Sequence, residues 1–202
     1  AKRRVLAVEI EASENNTYKS FGVLDIAKAD KHEILTRVLE AGMFPYFRQR
    51  PFDVIANPKD SPRSIHVSGF NSSPLSATTF IALDNRLSDF QYGIDALAKL
   101  SGKGGVHLGI QSSDATLSGV KNCVVTEFEG PHPSGNVGVQ IHHTAPVSKG
   151  ETVWTIGYQD VANLGAMLTT GHYIPTKVVA VGGSECSKPQ HVLTLAGASI
   201  ES

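Results

Sequence analysis

SDFQYGIDALAKLSGKGGVHLGI (Ser88–Ile110) is the stretch whose reading decides the fold. Phe90, Ile94, Leu97 and Ala98 recur at i, i+4, i+7 and i+8, one face of a helix running from Ser88 to Leu100. Gly102 breaks the pattern, and VHLGI (Val106–Ile110) reads as the next strand. Working outward, SIHVSG (Ser64–Gly69) alternates as a short strand, and Asn122–Phe128 supplies another. Asn71–Thr79 is polar and turn-rich, and its end reads as a helix start. Further upstream, Lys31–Ala41 reads as a helix. Asp30 and Glu33 form a capping-box pair, Ile34, Leu35, Val38 and Leu39 make an apolar stripe, and Gly42 ends it. Arg4–Ile10 reads as a first strand and Glu11–Asn16 as a polar turn. Strand, helix, strand, helix, strand is the pattern of a Rossmann-like parallel α/β sheet with crossover helices.

After Gly130 the style changes. Val137–His142, Thr152–Ile156, Lys177–Val181 and His191–Leu195 read as short strands, with one helix over Asp160–Thr169 carried by Val161, Leu164 and Leu168. The expected class is therefore α/β: a Rossmann-like domain over residues 1–128, then a smaller, mostly-β region over 129–202. The start AKRRVLAVEI, without an initiator Met, and the end GASIES read as those of a piece of a longer protein.

Composition narrows the partners. The chain has 202 residues, 41% hydrophobic and 18% charged, enough apolar content for a sizeable core. A net charge of −1 with no basic stripe gives no pull on nucleic acid. No apolar run reaches the roughly 20 residues of a membrane-spanning helix. Cys123 and Cys186 are too few for a disulfide framework or a four-cysteine cluster, and both read as free thiols.

A Rossmann-type sheet invites a nucleotide, but neither GxGxxG nor GxxxxGK[ST] occurs. Lys103-Gly104-Gly105 precedes a strand, and Gly182-Gly183-Ser184 has no helix after it. His132, His142 and His143 are metal-ligand types. Adjacent strand residues face opposite ways, so His142 and His143 would not share one ion. Ser118–Lys121 satisfies SxxK by a chance-level match, and Thr116 in SDAT lacks the context for covalent flavin attachment. Met43-Phe44-Pro45-Tyr46-Phe47-Arg48, with Arg50 beyond, is more suggestive. Phe44, Tyr46 and Phe47 could stack on a flat amphipathic ring while Arg48 and Arg50 bond its oxygens. The same aromatic residues also read as core just past a helix end, as does Trp154.

GPHPSG (Gly130–Gly135), the segment through Ile141-His142-His143, and ETVWTIGYQDV (Glu151–Val161) carry the family signal. With RQRPF (Arg48–Phe52), SIHVSGFNSSPL (Ser64–Leu75), PVS (Pro146–Ser148), VVAVGG (Val178–Gly183) and Lys188-Pro189, they occur in the order found in the A subunits of the sodium-translocating NADH:quinone reductases. The chain resembles that family over nearly its whole length. Asn136-Val137 departs from the usual Leu-Pro after PHPSG. Pro131, His132, Pro133, Gly135, His142, Trp154, Tyr158, Gln159 and Asp160 belong to the shared motifs, without an assigned role.

The resemblance implies a peripheral subunit on the cytoplasmic face of a bacterial inner membrane. It would sit in a complex that moves electrons from NADH to ubiquinone and exports sodium. FAD, FMN and iron–sulfur centres would reside in partner subunits, none in this chain, and ubiquinone is the implied ligand. Two other readings stand beside it. One is a free-standing dinucleotide-binding α/β enzyme, drawn from the first half. The other is a protein-docking module built on the β-rich half.

Overall fold

The computed structural model describes residues 7–11 and 17–199. Helix α1 (Lys31–Glu40) starts as its sequence dictates: Asp30 accepts from the Glu33 N–H, and the Glu33 carboxylate accepts from the Asp30 N–H. A 3₁₀ turn (Phe44–Tyr46) follows, then the strands β1 (Arg48–Arg50) and β2 (Val54–Ile55). Next come β3 (Ile65–Ser68), the short α2 (Thr79–Ala82), α3 (Leu87–Leu100), β4 (Val106–Gln111) and β5 (Val124–Phe128). The second half adds α4 (Val137–Thr144), β6 (Val153–Gly157), α5 (Tyr158–Thr170), β7 (Thr176–Val181) and β8 (Gln190–Leu195).

Six strands form one sheet in the order β2-β1-β6-β3-β4-β5. Strands β3, β4, β5 and β6 are mutually parallel, while β1 runs antiparallel to β6 and carries β2 as a hairpin. Read by chain order, the parallel strands stand fourth, first, second, third. The chain winds away from β3 through β4 and β5, then crosses back to lay β6 on its other side. The class is α/β, as the alternating pattern implied, with a small antiparallel sheet of β7 and β8 beside it. Because β6 lies in the middle of the large sheet, that sheet extends past residue 128, and mostly-β character begins only at Thr176.

The two faces of the sheet differ chemically. Ile65, Val67, Leu108, Trp154 and Ile156 share one face and are buried with α1, α3 and α5 in the main core. Helices α3 and α5 touch almost backbone to backbone. A Cβ on Gly165 would collide with the Asp89 carbonyl, and one on Gly93 with that of Val161. The other face carries Arg48, Thr155, His66, Ser68, His107 and Gly109, and α4 lies over part of it.

Three expectations change. Val137–His142 reads as a strand from its alternating Val137, Val139 and Ile141, and it is α4. The crossover from β5 back to β6 supplies the reason. A helix there seals the polar face with Gln140 and Ile141, and tertiary packing overrides β-branched preference. His142 and His143 consequently sit in a last helical turn, ring edge to ring face at 5.2 Å, instead of on opposite sides of a strand. Of the expected first strand, Ala7–Ile10 lies outside any strand, and Arg4–Leu6 is outside the described residues, as is nearly all of the polar turn after it.

A crevice at the strand ends

The opening lies where β3 and β6, adjacent and parallel, part company at their carboxyl ends. The order of the parallel strands reverses between them, the place where open α/β sheets form a crevice. A cavity of about 740 Å³ occupies it. Ser68 ends β3 and Gly157 ends β6, and both line the opening.

Arg48 and Arg50 enter from β1. They are two residues apart on a strand and so share a face, with Gln49 turned to the other. Asp53 braces both: its carboxylate is 3.4 Å from Arg48 Nε and 3.6 Å from Arg50 Nη2. The Arg48 guanidinium also donates to the Asp53 carbonyl. Arg50 Nε is buried without a hydrogen-bond partner. Tyr46, Tyr158 and Phe70 are the aromatic residues of the crevice wall. Tyr46 is held by the Tyr173 hydroxyl, which donates to its oxygen at 3.0 Å, and by the Lys177 ammonium, 5.6 Å from its ring centre. Burial raises the Tyr158 hydroxyl above the ordinary tyrosine value, keeping it a neutral donor.

The far wall is the GPHPSG loop and the first turn of α4. Gly135 approaches Ser72 so closely that a Cβ would meet the Ser72 nitrogen at 2.5 Å. Its N–H donates to Ser72 Oγ at 2.8 Å, and Ser72 Oγ lies 3.1 Å from His132 Nδ1. Ser68 Oγ donates to the Gly135 carbonyl at 2.7 Å, and buried Gln140 donates to Ser68 Oγ and to the Ser134 carbonyl. The loop is thus stitched to the end of β3, and Asn136, Val137, Gly138 and Val139 face the opening. Neither Asn136 before α4 nor Gly157 before α5 supplies a side-chain cap, so both first turns keep N–H groups free of one.

The residues singled out from sequence divide accordingly. Tyr46, Arg48, Arg50, Gly135 and Tyr158 line the crevice. Phe44 and Phe47 do not. They stack at 5.5 Å and abut Trp154 at 5.6 and 5.8 Å, in the core on the opposite side of the sheet from the arginines. Pleating explains the split, since Phe47 and Arg48 are neighbours and point to opposite faces. Pro131 and Pro133 shape the exposed loop, and His142 is exposed at the end of α4. Gln159 bonds both backbone groups of Val178, docking β7 on α5. Asp160, nearly buried, pairs with Lys177 at 2.6 Å. Cys123 and Cys186 are free and half-buried, with the Cys123 thiol pushed up to about 11 by burial and by Asp95.

Sequence reasoning missed Ser68, Asn71, Ser73, Thr155 and the start of α4. The signal was the strand order. A parallel pair across which the strand order reverses marks its own carboxyl ends, but only once β6 is known to pair with β3. Where a phosphate-gripping turn would join the first strand to its helix, Gly69–Thr78 instead runs as a long polar loop into α2. Among the described residues, no three metal-ligating side chains gather, and no helix is long and apolar enough to cross a membrane.

Residues 29–173 match the family model described as the NqrA second alpha/beta domain. The chain is 33% identical over 204 residues to the A subunit of a Na(+)-translocating NADH-quinone reductase from Saccharophagus degradans, covering 99% of this chain and 45% of that protein. A protein of the same name in Serratia proteamaculans is 36% identical, covering 98% and 44%. One in Rhodopirellula baltica is 33% identical, covering 100% and 45%. The chain thus spans less than half the length of these relatives.

Proposed function

The chain belongs to the NqrA family, and from that premise we propose that it serves within the NqrA component of a sodium-translocating NADH:quinone reductase, as a peripheral part without a redox centre of its own. Electrons would pass through FAD, FMN and iron–sulfur centres held by partner subunits. The site would be the cytoplasmic face of a bacterial inner membrane. The absence of a spanning helix among the described residues is consistent with a peripheral place.

Within that role, the crevice would contact the ring of ubiquinone through Tyr46, Arg48 and Arg50. One observation carries this reading. Two tyrosines and two arginines surround an opening at the strand ends, while the loop after β3 offers no glycine-rich cradle for a pyrophosphate. Flat rings stack on the tyrosines, and ring oxygens accept from guanidinium. Phe44 and Phe47 would support the wall from the core without touching the ligand.

Labelling by a photoreactive quinone tests the contact. Labelled peptides should come from the crevice, and Arg48→Ala should reduce labelling several-fold; undiminished labelling would discard it. The purified protein should be colourless, and flavin bound at one equivalent would overturn the cofactor-free reading.

The switch-point crevice also favours a second reading, a dinucleotide-binding enzyme. Calorimetric titration with NADH and FMN separates the two. Binding tighter than about 100 μM, roughly 5.5 kcal/mol, would support the second.

A further inference from the structure

We propose that the crevice prefers a ring bearing an anionic oxygen, such as an ionised hydroxyquinone or a hydroquinone anion, over a neutral quinone; this rests on the quinone reading above. Of the residues lining the opening, only Arg48 and Arg50 are charged. Asp53, outside the lining, answers one of the two charges at 3.4 and 3.6 Å. Two guanidinium groups against one carboxylate leave a single positive charge at the wall.

That charge is short of acceptors. Arg50 Nε is buried and makes no hydrogen bond, and the contact of the guanidinium with Asp53 is long, at 3.6 Å. An anionic oxygen adds to the guanidinium hydrogen bond a charge–charge attraction that a neutral carbonyl oxygen lacks. The opposite wall has the same sign. The first turn of α4 reaches the opening without a side-chain cap and the positive end of its dipole adds to the arginines, whereas Asp160 in the first turn of α5 answers that of its own helix. A neutral ring gains stacking on Tyr46 and Tyr158 but draws little from this field. Arg48 keeps 43% of its side chain exposed and Arg50 28%, so water screens the attraction. The expected discrimination is therefore about tenfold.

Two probes share one ring and differ in charge: hydroxynaphthoquinone, ionised at neutral pH, and its neutral methyl ether. Fluorescence or calorimetric titration of the purified chain should give roughly tenfold tighter binding of the ionised probe, weakening as salt rises. Arg50→Gln should weaken both probes but the ionised one far more, bringing the ratio close to one, and Arg50→Lys should restore part of it. Melting curves of both variants should overlay the parent, because β1 pairs through its backbone. Equal binding of the two probes to the parent would overturn the anion preference and leave the quinone contact standing. Failure of both probes to bind would overturn the two together.

Discussion

His66 and His107 lie face to face, ring centres 4.6 Å apart and planes 8° from parallel, as a register pair between β3 and β4. His66 Nε2 is 2.9 Å from Ser64 Oγ, and His107 Nε2 is 3.1 Å from the Gly104 carbonyl. Burial, the second ring and Arg63 push His66 down to about 3, and burial lowers His107 as well. The folded state therefore holds both rings neutral. An unfolded chain takes up protons as pH falls through 6.5, so this contribution to stability is complete above that value and is lost below it. Unfolding free energies from denaturant titration should fall with acidification between pH 6.5 and about 3, by about 1.4 kcal/mol per pH unit for His66 alone. His66→Gln should flatten that slope; an unchanged slope would remove His66 as the cause.

Gly165→Ala should loosen the α3–α5 crossing. The added methyl would press on the Asp89 carbonyl, which is main chain and cannot swing aside. A loss of about 1–3 kcal/mol in urea unfolding is expected, although alanine is the better helix former. A neutral or stabilising outcome would mean that the helices separate at little cost.

Gln140→Leu should weaken the seam between the GPHPSG loop and β3. The side chain is 4% exposed and donates to Ser68 Oγ at 3.0 Å and to the Ser134 carbonyl at 3.2 Å. Leaving those acceptors without it should cost about 1–3 kcal/mol. Hydrogen exchange should rise at Ser134–Asn136 before it rises in the sheet. Uniform exchange would show that the loop holds without Gln140.

Lys177→Met should leave the Asp160 carboxylate nearly buried and without its cation. Lys177 keeps 28% of its side chain exposed, so the loss should be roughly 2 kcal/mol, below that of a fully dry pair. Asp160→Asn in the same background should recover part of it. A double-mutant cycle without coupling would contradict a working pair.

Much of the scaffold is legible in residues alone. The capping box of α1, the apolar stripe of α3 and the strand Val106–Gln111 each follow from local chemistry, and each stands where its pattern places it. The failures share a cause. Helix α4 carries a strand-like alternation, and only its position between β5 and β6 makes it helical. Strand β1 hides in RQR, a charged triplet that forms a strand because β6 and β2 flank it. The site is half legible for the same reason. Tyr46, Arg48 and Arg50 announce themselves by type, but the pleat that separates them from Phe44 and Phe47, and the serines and glycines opposite, depend on long-range pairing.

Arg48 and Arg50 ride on a sheet strand clasped on both edges, where a flexible segment would have had to freeze on binding. A guest at this wall has only side-chain rotation to arrest, so the entropic toll of capture is small. Arrival should thus be a docking event on a ready-made surface, with kinetics free of any slow closing phase.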